Sequence, residues 1–105
     1  MRGDVYRLRA PRNATGREQR GRRLCVVVQS DALPLSTWLV APTSTAARPA
    51  TFRPAIDVAG QETLVLVEQT TAIDPRRLGE RIGRLSRAAL QDVDDALRAV
   101  LDLSR

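Results

Sequence analysis

Leu24-Cys25-Val26-Val27-Val28-Gln29 is apolar through its middle and rich in β-branched side chains, the pattern of a strand covered on both faces. It is predicted to lie at the centre of the core. Ser30, Asp31 and Pro34 break it, and Thr37 to Ala41, carrying Trp38, Leu39 and Val40, reads as the next strand. Upstream, Asp4 to Arg9 sets Val5, Arg7 and Arg9 against Tyr6 and Leu8, an alternation that suits a first strand. Ala10 to Arg22 separates the two strands with Pro11, Asn13, Gly16, Gly21 and four arginines. That composition cannot bury itself and reads as a loop.

Further along, Thr43 to Arg48 reads as loop, and Phe52 to Val58 and Thr63 to Glu68 as two strands of a hairpin turning at Ala59, Gly60 and Gln61. Asp74 and Pro75 suit the entry to a short helical turn through Leu78, with Asp as cap and Pro at the first helical position. Arg81 to Leu85 is a brief strand. From Ser86 as N-cap, Leu90, Val93, Leu97, Val100 and Leu101 recur at helical spacing, with Asp92, Asp94, Asp95 and Arg98 on the other side. Short strands followed by one long C-terminal helix make a mainly β fold: a strongly bent sheet or small barrel packed by that helix. The 105 residues make one domain, 1–105.

The ionisable inventory excludes several chemistries. There is no histidine and no lysine, all 17 basic residues are arginine, and Cys25 is the lone cysteine. Ser-His-Asp triads, Schiff-base lysines, Walker A loops, Cys/His zinc sites and internal disulfides are therefore ruled out. Cys25, inside the apolar run, reads as a small buried hydrophobe rather than a nucleophile.

The net charge of +5 is concentrated at the front: residues 1–23 carry eight arginines against Asp4 and Glu18. Guanidinium forks match phosphate oxygens two at a time, so the cluster suits a polyanion; a solvated, solubilising loop is the plainer reading. With only Tyr6, Trp38 and Phe52 as aromatics, a base-stacking platform is not expected. The apolar run at Cys25 is far too short to span a bilayer, and the charged N-terminus has no apolar stretch after it. A cytoplasmic location is expected.

If Ser30 to Ser36 connect the second and third strands as an antiparallel pair centred on Leu33, opposing positions sum to 66. Val28 then faces Trp38, Val26 faces Val40, and Arg23 faces Thr43 beside the basic loop. An arginine and a threonine thus meet at one end of the sheet, as a candidate site or as an ordinary strand end.

At these residues the sequence resembles the MazF/PemK toxins of type II toxin-antitoxin systems. The likeness begins with Arg2, Gly3, Asp4, Val5 and Tyr6, and continues through Gly16, Glu18 and Gln19 to Arg22 and Arg23. It includes Val40, Ala41, Pro42 and Thr43, then Val67, Glu68 and Gln69. Ile73, Asp74, Arg77 and Leu78 follow, and Ile82, Gly83, Leu85 and Ser86 lead into the helix. Each piece is short, and their common order over nearly the whole chain makes the resemblance specific.

The resemblance implies an SH3-like, PemK/CcdB-type barrel forming a homodimer, with single-stranded RNA in a groove across the dimer. The cognate MazE-like antitoxin would fill that groove with an acidic segment. It also implies metal-independent, sequence-specific endoribonuclease activity, without a cofactor, in which the ribose 2′-OH attacks its own phosphodiester. The products are 2′,3′-cyclic phosphate and 5′-hydroxyl ends. The family's catalytic arginine and threonine correspond to Arg23 and Thr43. Where a proline commonly follows that arginine, this chain has Leu24. Glu18 either takes the 2′-OH proton or orients Arg23, while Gln19, Arg20, Arg22 and Gln69 are candidates for RNA binding. Two alternatives share the fold: a CcdB-like toxin that binds gyrase, and a non-cleaving RNA- or protein-binding module. The chain's end, Leu103-Ser104-Arg105, lacks the terminal tryptophan of gyrase-binding relatives.

Overall fold

The computed structural model describes residues 1–9 and 23–103. Within them the chain forms β1 (Asp4–Leu8), β2 (Leu24–Val27), β3 (Trp38–Ser44), β4 (Ala55–Val58), β5 (Gln61–Val65), β6 (Thr71–Ile73), β7 (Leu78–Arg84) and α1 (Arg87–Leu101). The strands follow the order β4-β5-β3-β2-β1-β7, with β6 added on β3. All pairings are antiparallel. The result is the expected mainly β fold, a curled half-barrel sheet closed by one C-terminal helix.

The sheet is buried on both sides at β2. Val26 and Val28 join Val5, Ala41, Ile56, Val65 and the α1 residues Val93 and Ala96 in the larger core. Cys25 and Val27 point the other way, into a smaller cluster with Val40, Ile73 and Leu78. Alternation along one strand therefore serves two cores, which is why the run lacks a polar face.

The β2/β3 register differs by one residue from the expected one: Cys25 pairs with Pro42, Val26 with Ala41 and Val27 with Val40. The cause is Gln29. Its buried side-chain amide accepts from the Leu39 N–H at 3.1 Å and donates to the Leu33 carbonyl at 3.0 Å. The connection is thereby lengthened and set off-centre. The slip matters because it puts Val27 and Val40 on one face and Val26 and Ala41 on the other, whereas the expected register would have mixed the two cores.

β3 also runs further than expected, through Thr43 and Ser44, the start of the stretch expected as loop. One edge of β3 is shared: Trp38, Leu39 and Val40 pair with β6, and Thr43 and Ser44 pair with β5. Pro42, which has no N–H, sits where the strand passes from one partner to the other, and its carbonyl accepts from the Leu66 N–H at 2.8 Å.

The β4/β5 hairpin turns on two residues, Ala59 and Gly60, with φ of 53° and 80°. Val58 pairs directly with Gln61, which belongs to β5 rather than to the turn. Two successive positive φ values are the signature of the tight hairpin turn that matches strand twist. β4 begins only at Ala55, because Arg53 closes a turn by donating to the Ala50 carbonyl at 3.0 Å. β5 stops at Val65, and Val67–Gln69 form a 3-10 turn instead of continuing it.

The short turn at Asp74 forms as expected: Pro75–Arg77 is a 3-10 turn and the Asp74 carboxylate accepts from the Arg76 N–H at 2.9 Å. β7 is longer than the expected Arg81 to Leu85 and pairs with β1. Ser86 caps α1, accepting from the Ala89 N–H at 3.1 Å. Val93 and Ala96 are buried and Leu90 and Leu97 pack beside them, while Val100 and Leu101 are exposed. Asp94, expected on the solvent side, instead accepts an ion pair from Arg2, one position round the helix from Val93. Gly3, at φ 92°, makes the N-terminal bend against α1, where an added Cβ would stand 3.4 Å from Leu90. Among the described residues, no helix is long and apolar enough to cross a membrane.

Candidate RNA-cleavage site

Arg23 directly precedes β2, and Thr43 leaves β3 at the neighbouring strand end. Because the register sums to 67, Thr43 stands opposite Leu24, one residue beyond Arg23. Its Oγ1 donates to the Leu24 carbonyl at 3.3 Å. This is a long bond for a hydroxyl donor, whose usual separation is about 2.7–2.8 Å. The hydroxyl is held loosely and can be turned to a better acceptor. Arg23 is exposed in side chain but anchored in backbone, its carbonyl accepting from the Leu8 N–H at 2.9 Å.

Both residues line one cleft of about 190 Å³, together with Ser44, Thr45, Gln61 and Thr63. Leu24 and Val58 supply its apolar walls. Among the described residues, Arg23 is the one charged side chain in this lining. The described lining thus combines a guanidinium with the hydroxyls of Thr43, Ser44, Thr45 and Thr63, suited to an anionic oxygen that needs several donors.

Two other arginines of the basic first quarter are engaged by neighbouring groups. Arg2 donates to the Val28 carbonyl at 2.9 Å and pairs with Asp94, and Arg7 lies 3.8 Å from Glu80. Counting charge along the sequence could not separate these from Arg23.

Gln69 is exposed on the turn after β5 and is outside the cleft lining. Glu18, Gln19, Arg20 and Arg22 lie outside the described residues. No motif in the sequence marks Ser44, Thr45, Gln61 or Thr63 as cleft residues. Their membership depends on the β3/β5 pairing, for which no local signal exists.

Cys25 is fully buried, and burial pushes its thiol up to about 11. This is the behaviour of a packing residue rather than a nucleophile. Among the described residues, no three His, Cys, Asp or Glu side chains are grouped to hold a metal ion.

A curled β half-barrel closed by one C-terminal helix is the fold of a known toxin class. The chain belongs to the PemK-like, MazF-like toxins of type II toxin-antitoxin systems, whose family model matches residues 1–101. A toxin candidate of Mycobacterium tuberculosis is 39% identical over 104 residues, covering 98% of each chain. Among solved structures, a mycobacterial endoribonuclease in complex with its cognate antitoxin is similar at TM-score 0.81 and 18% identity, covering 100% of this chain and 97% of that one. The Mycobacterium tuberculosis toxin MazF-mt6 follows at TM-score 0.78 and 18% identity, covering 97% and 99%. MazF from Deinococcus radiodurans gives TM-score 0.76 and 21% identity over 97% and 96%. At those identities the likeness is one of fold.

Proposed function

We propose that this protein is a cytoplasmic, sequence-specific endoribonuclease that cleaves single-stranded RNA, with Arg23 and Thr43 as its catalytic residues. The observation that carries this reading is their common cleft, whose described lining brings a guanidinium and a loosely held hydroxyl together. Family membership supports the class of activity, and the mycobacterial relative of the same fold is an endoribonuclease.

The proposed reaction uses the substrate's own nucleophile. The ribose 2′-oxygen attacks the adjacent phosphorus, the bond from phosphorus to the 5′-oxygen breaks, and a 2′,3′-cyclic phosphate and a 5′-hydroxyl result. One proton leaves the 2′-oxygen and one reaches the departing 5′-oxygen, so no water or metal enters the balance. Negative charge grows on the non-bridging oxygens in the transition state. Arg23 offers a planar fork of donors to them, and the Thr43 hydroxyl adds a third by leaving the Leu24 carbonyl. An arginine stays charged at neutral pH and is a poor proton acceptor. Glu18 is the nearest carboxylate in sequence and is proposed to take the 2′-proton or to orient Arg23.

Gln19, Arg20, Arg22 and Gln69 are proposed to bind RNA away from the reacting phosphate. The active species is proposed to be a homodimer restrained by an acidic antitoxin segment; relatives of this fold were solved with their antitoxins, one mycobacterial and one from Deinococcus radiodurans. The test is chemical. Once the cut site is mapped, a single 2′-deoxy sugar placed there should abolish cleavage while leaving binding intact. Cleavage that persists at the deoxy sugar excludes the 2′-hydroxyl as nucleophile.

A further inference from the structure

Among the described residues, the hydroxyl of Thr63 in the cleft lining has no hydrogen-bond partner. The residue is 5% exposed, its Oγ1 has less than 1 Å² of accessible surface, and no hydrogen bond among the described residues reaches it. The topology explains why. Thr43 pairs with Val65, so Thr63, two residues along, lies on the same face of the β3/β5 ladder. Ile56, its partner on β4, and Val65 on that face belong to the main core. A hydroxyl among them without a bond is a net cost to folding, and a valine of the same shape would fill the space without it.

Such a cost at the wall of a cleft is the mark of a group kept for a ligand. The neighbours indicate which part of the ligand. Arg23 is the natural seat of a phosphate, whereas Thr45, Gln61 and Thr63 are neutral groups that both donate and accept. Mixed donors and acceptors suit the edge of a nucleobase, and single-stranded RNA presents its unstacked bases for this kind of reading. A volume of about 190 Å³ is smaller than the sites that take drug-sized ligands and suits one base.

We infer that Thr63, with the Gln61 amide beside it, determines sequence specificity by hydrogen-bonding the edge of the base next to the phosphate held at Arg23. This rests on the endoribonuclease reading above. The hydroxyl reaches the base by a single rotamer step about χ1, which carries it to the position the methyl held and moves the methyl to the third staggered position. Thr63 is thus a sensor that gains its hydrogen bond only when the matching base enters.

The experiment compares wild type, Thr63→Val, Thr63→Ser and Gln61→Ala on a randomised single-stranded RNA pool, with cut positions sequenced and thermal melts run on each protein. Thr63→Val is expected to melt above wild type, still cut RNA, and lose preference at one position beside the cut by about tenfold. Thr63→Ser should retain that preference, and Gln61→Ala should weaken it at the same position. An unchanged sequence profile in Thr63→Val overturns the inference, as does a uniform loss of rate over all sequences. If Thr63→Val fails to fold, Gln61→Ala decides, because Gln61 is exposed at the hairpin and its truncation leaves the core intact. A wild type that cuts no RNA overturns the endoribonuclease reading itself, an outcome distinct from an unaltered profile.

Discussion

Thr43 donates its hydroxyl to the carbonyl of Leu24 across the β2/β3 ladder, at 3.3 Å. The bond joins the strand end that carries the threonine to the residue directly after Arg23. It is long enough that exchanging it for a phosphate oxygen costs little. Thr43→Val, which keeps the shape and removes the donor, should lower the cleavage rate by about 10²–10³-fold. Its effect on folding should stay near 1 kcal/mol. Thr43→Ser should keep most of the activity. Single-turnover rates together with denaturant melts separate the two effects, and a Thr43→Val enzyme of unaltered rate would remove the hydroxyl from the mechanism.

Arg53 donates twice to Glu68 Oε2, at 2.9 and 2.6 Å, tying the turn before β4 to the turn after β5. Burial pushes the Glu68 carboxyl up, but the hydrogen bonds and charge of Arg53 outweigh it and hold the group below its ordinary value of 4.5. A depressed folded-state value stabilises the fold above the unfolded-state value, and this contribution disappears as pH falls through the folded-state one. Arg53→Ala is therefore expected to cost about 1–2 kcal/mol at pH 7. The gap to wild type should narrow below about pH 4.5 as Glu68 is protonated, leaving what Arg53 contributes through the Arg48 carbonyl and the Phe52 ring. Urea melts from pH 7 down to pH 3 read this directly; a gap independent of pH would assign the loss to packing against Phe52, over whose ring Arg53 lies at 5.6 Å.

Ala59 takes a left-handed φ of 53° in the hairpin turn, a conformation that costs a residue with a Cβ about 1 kcal/mol or more. Asparagine tolerates it better, so Ala59→Asn should stabilise the protein by up to about 1 kcal/mol. The same melts test it. No gain would mean that the turn relaxes in solution.

Cys25, buried at the centre of β2 with its thiol pushed up to about 11, should not react with a soluble disulfide reagent until the protein unfolds. Its labelling rate should therefore follow the unfolding equilibrium across a denaturant series. Rapid labelling of the native protein would contradict the double-sided burial of β2.

What the sequence made legible was local. The β-branched run at Cys25, the Asp74-Pro75 entry and the Ser86 cap each announce themselves within a few residues, and each forms, though the strand ends at Val27 rather than Gln29 and the turn at Arg77 rather than Leu78. The meeting of Arg23 and Thr43 was legible through the two strands' proximity, though displaced by one residue. The displacement came from Gln29, whose side chain substitutes for backbone in the turn, and hydrophobic pattern carries no trace of that bond. β6 is three residues long and shows no alternation to detect. Thr63 was invisible as a site residue, because its face of the sheet depends on the pairing of β5 with β3, and those strands are separated by the β4 hairpin.

The most direct test of the account is cleavage of a long single-stranded RNA by the purified protein in EDTA, beside folded Arg23→Ala and Thr43→Ala variants, with both product ends mapped. The account predicts cuts at a recurrent short sequence, 2′,3′-cyclic phosphate and 5′-hydroxyl ends, and loss of cleavage in both variants. Intact RNA with wild type, or undiminished cleavage by either variant, would contradict it.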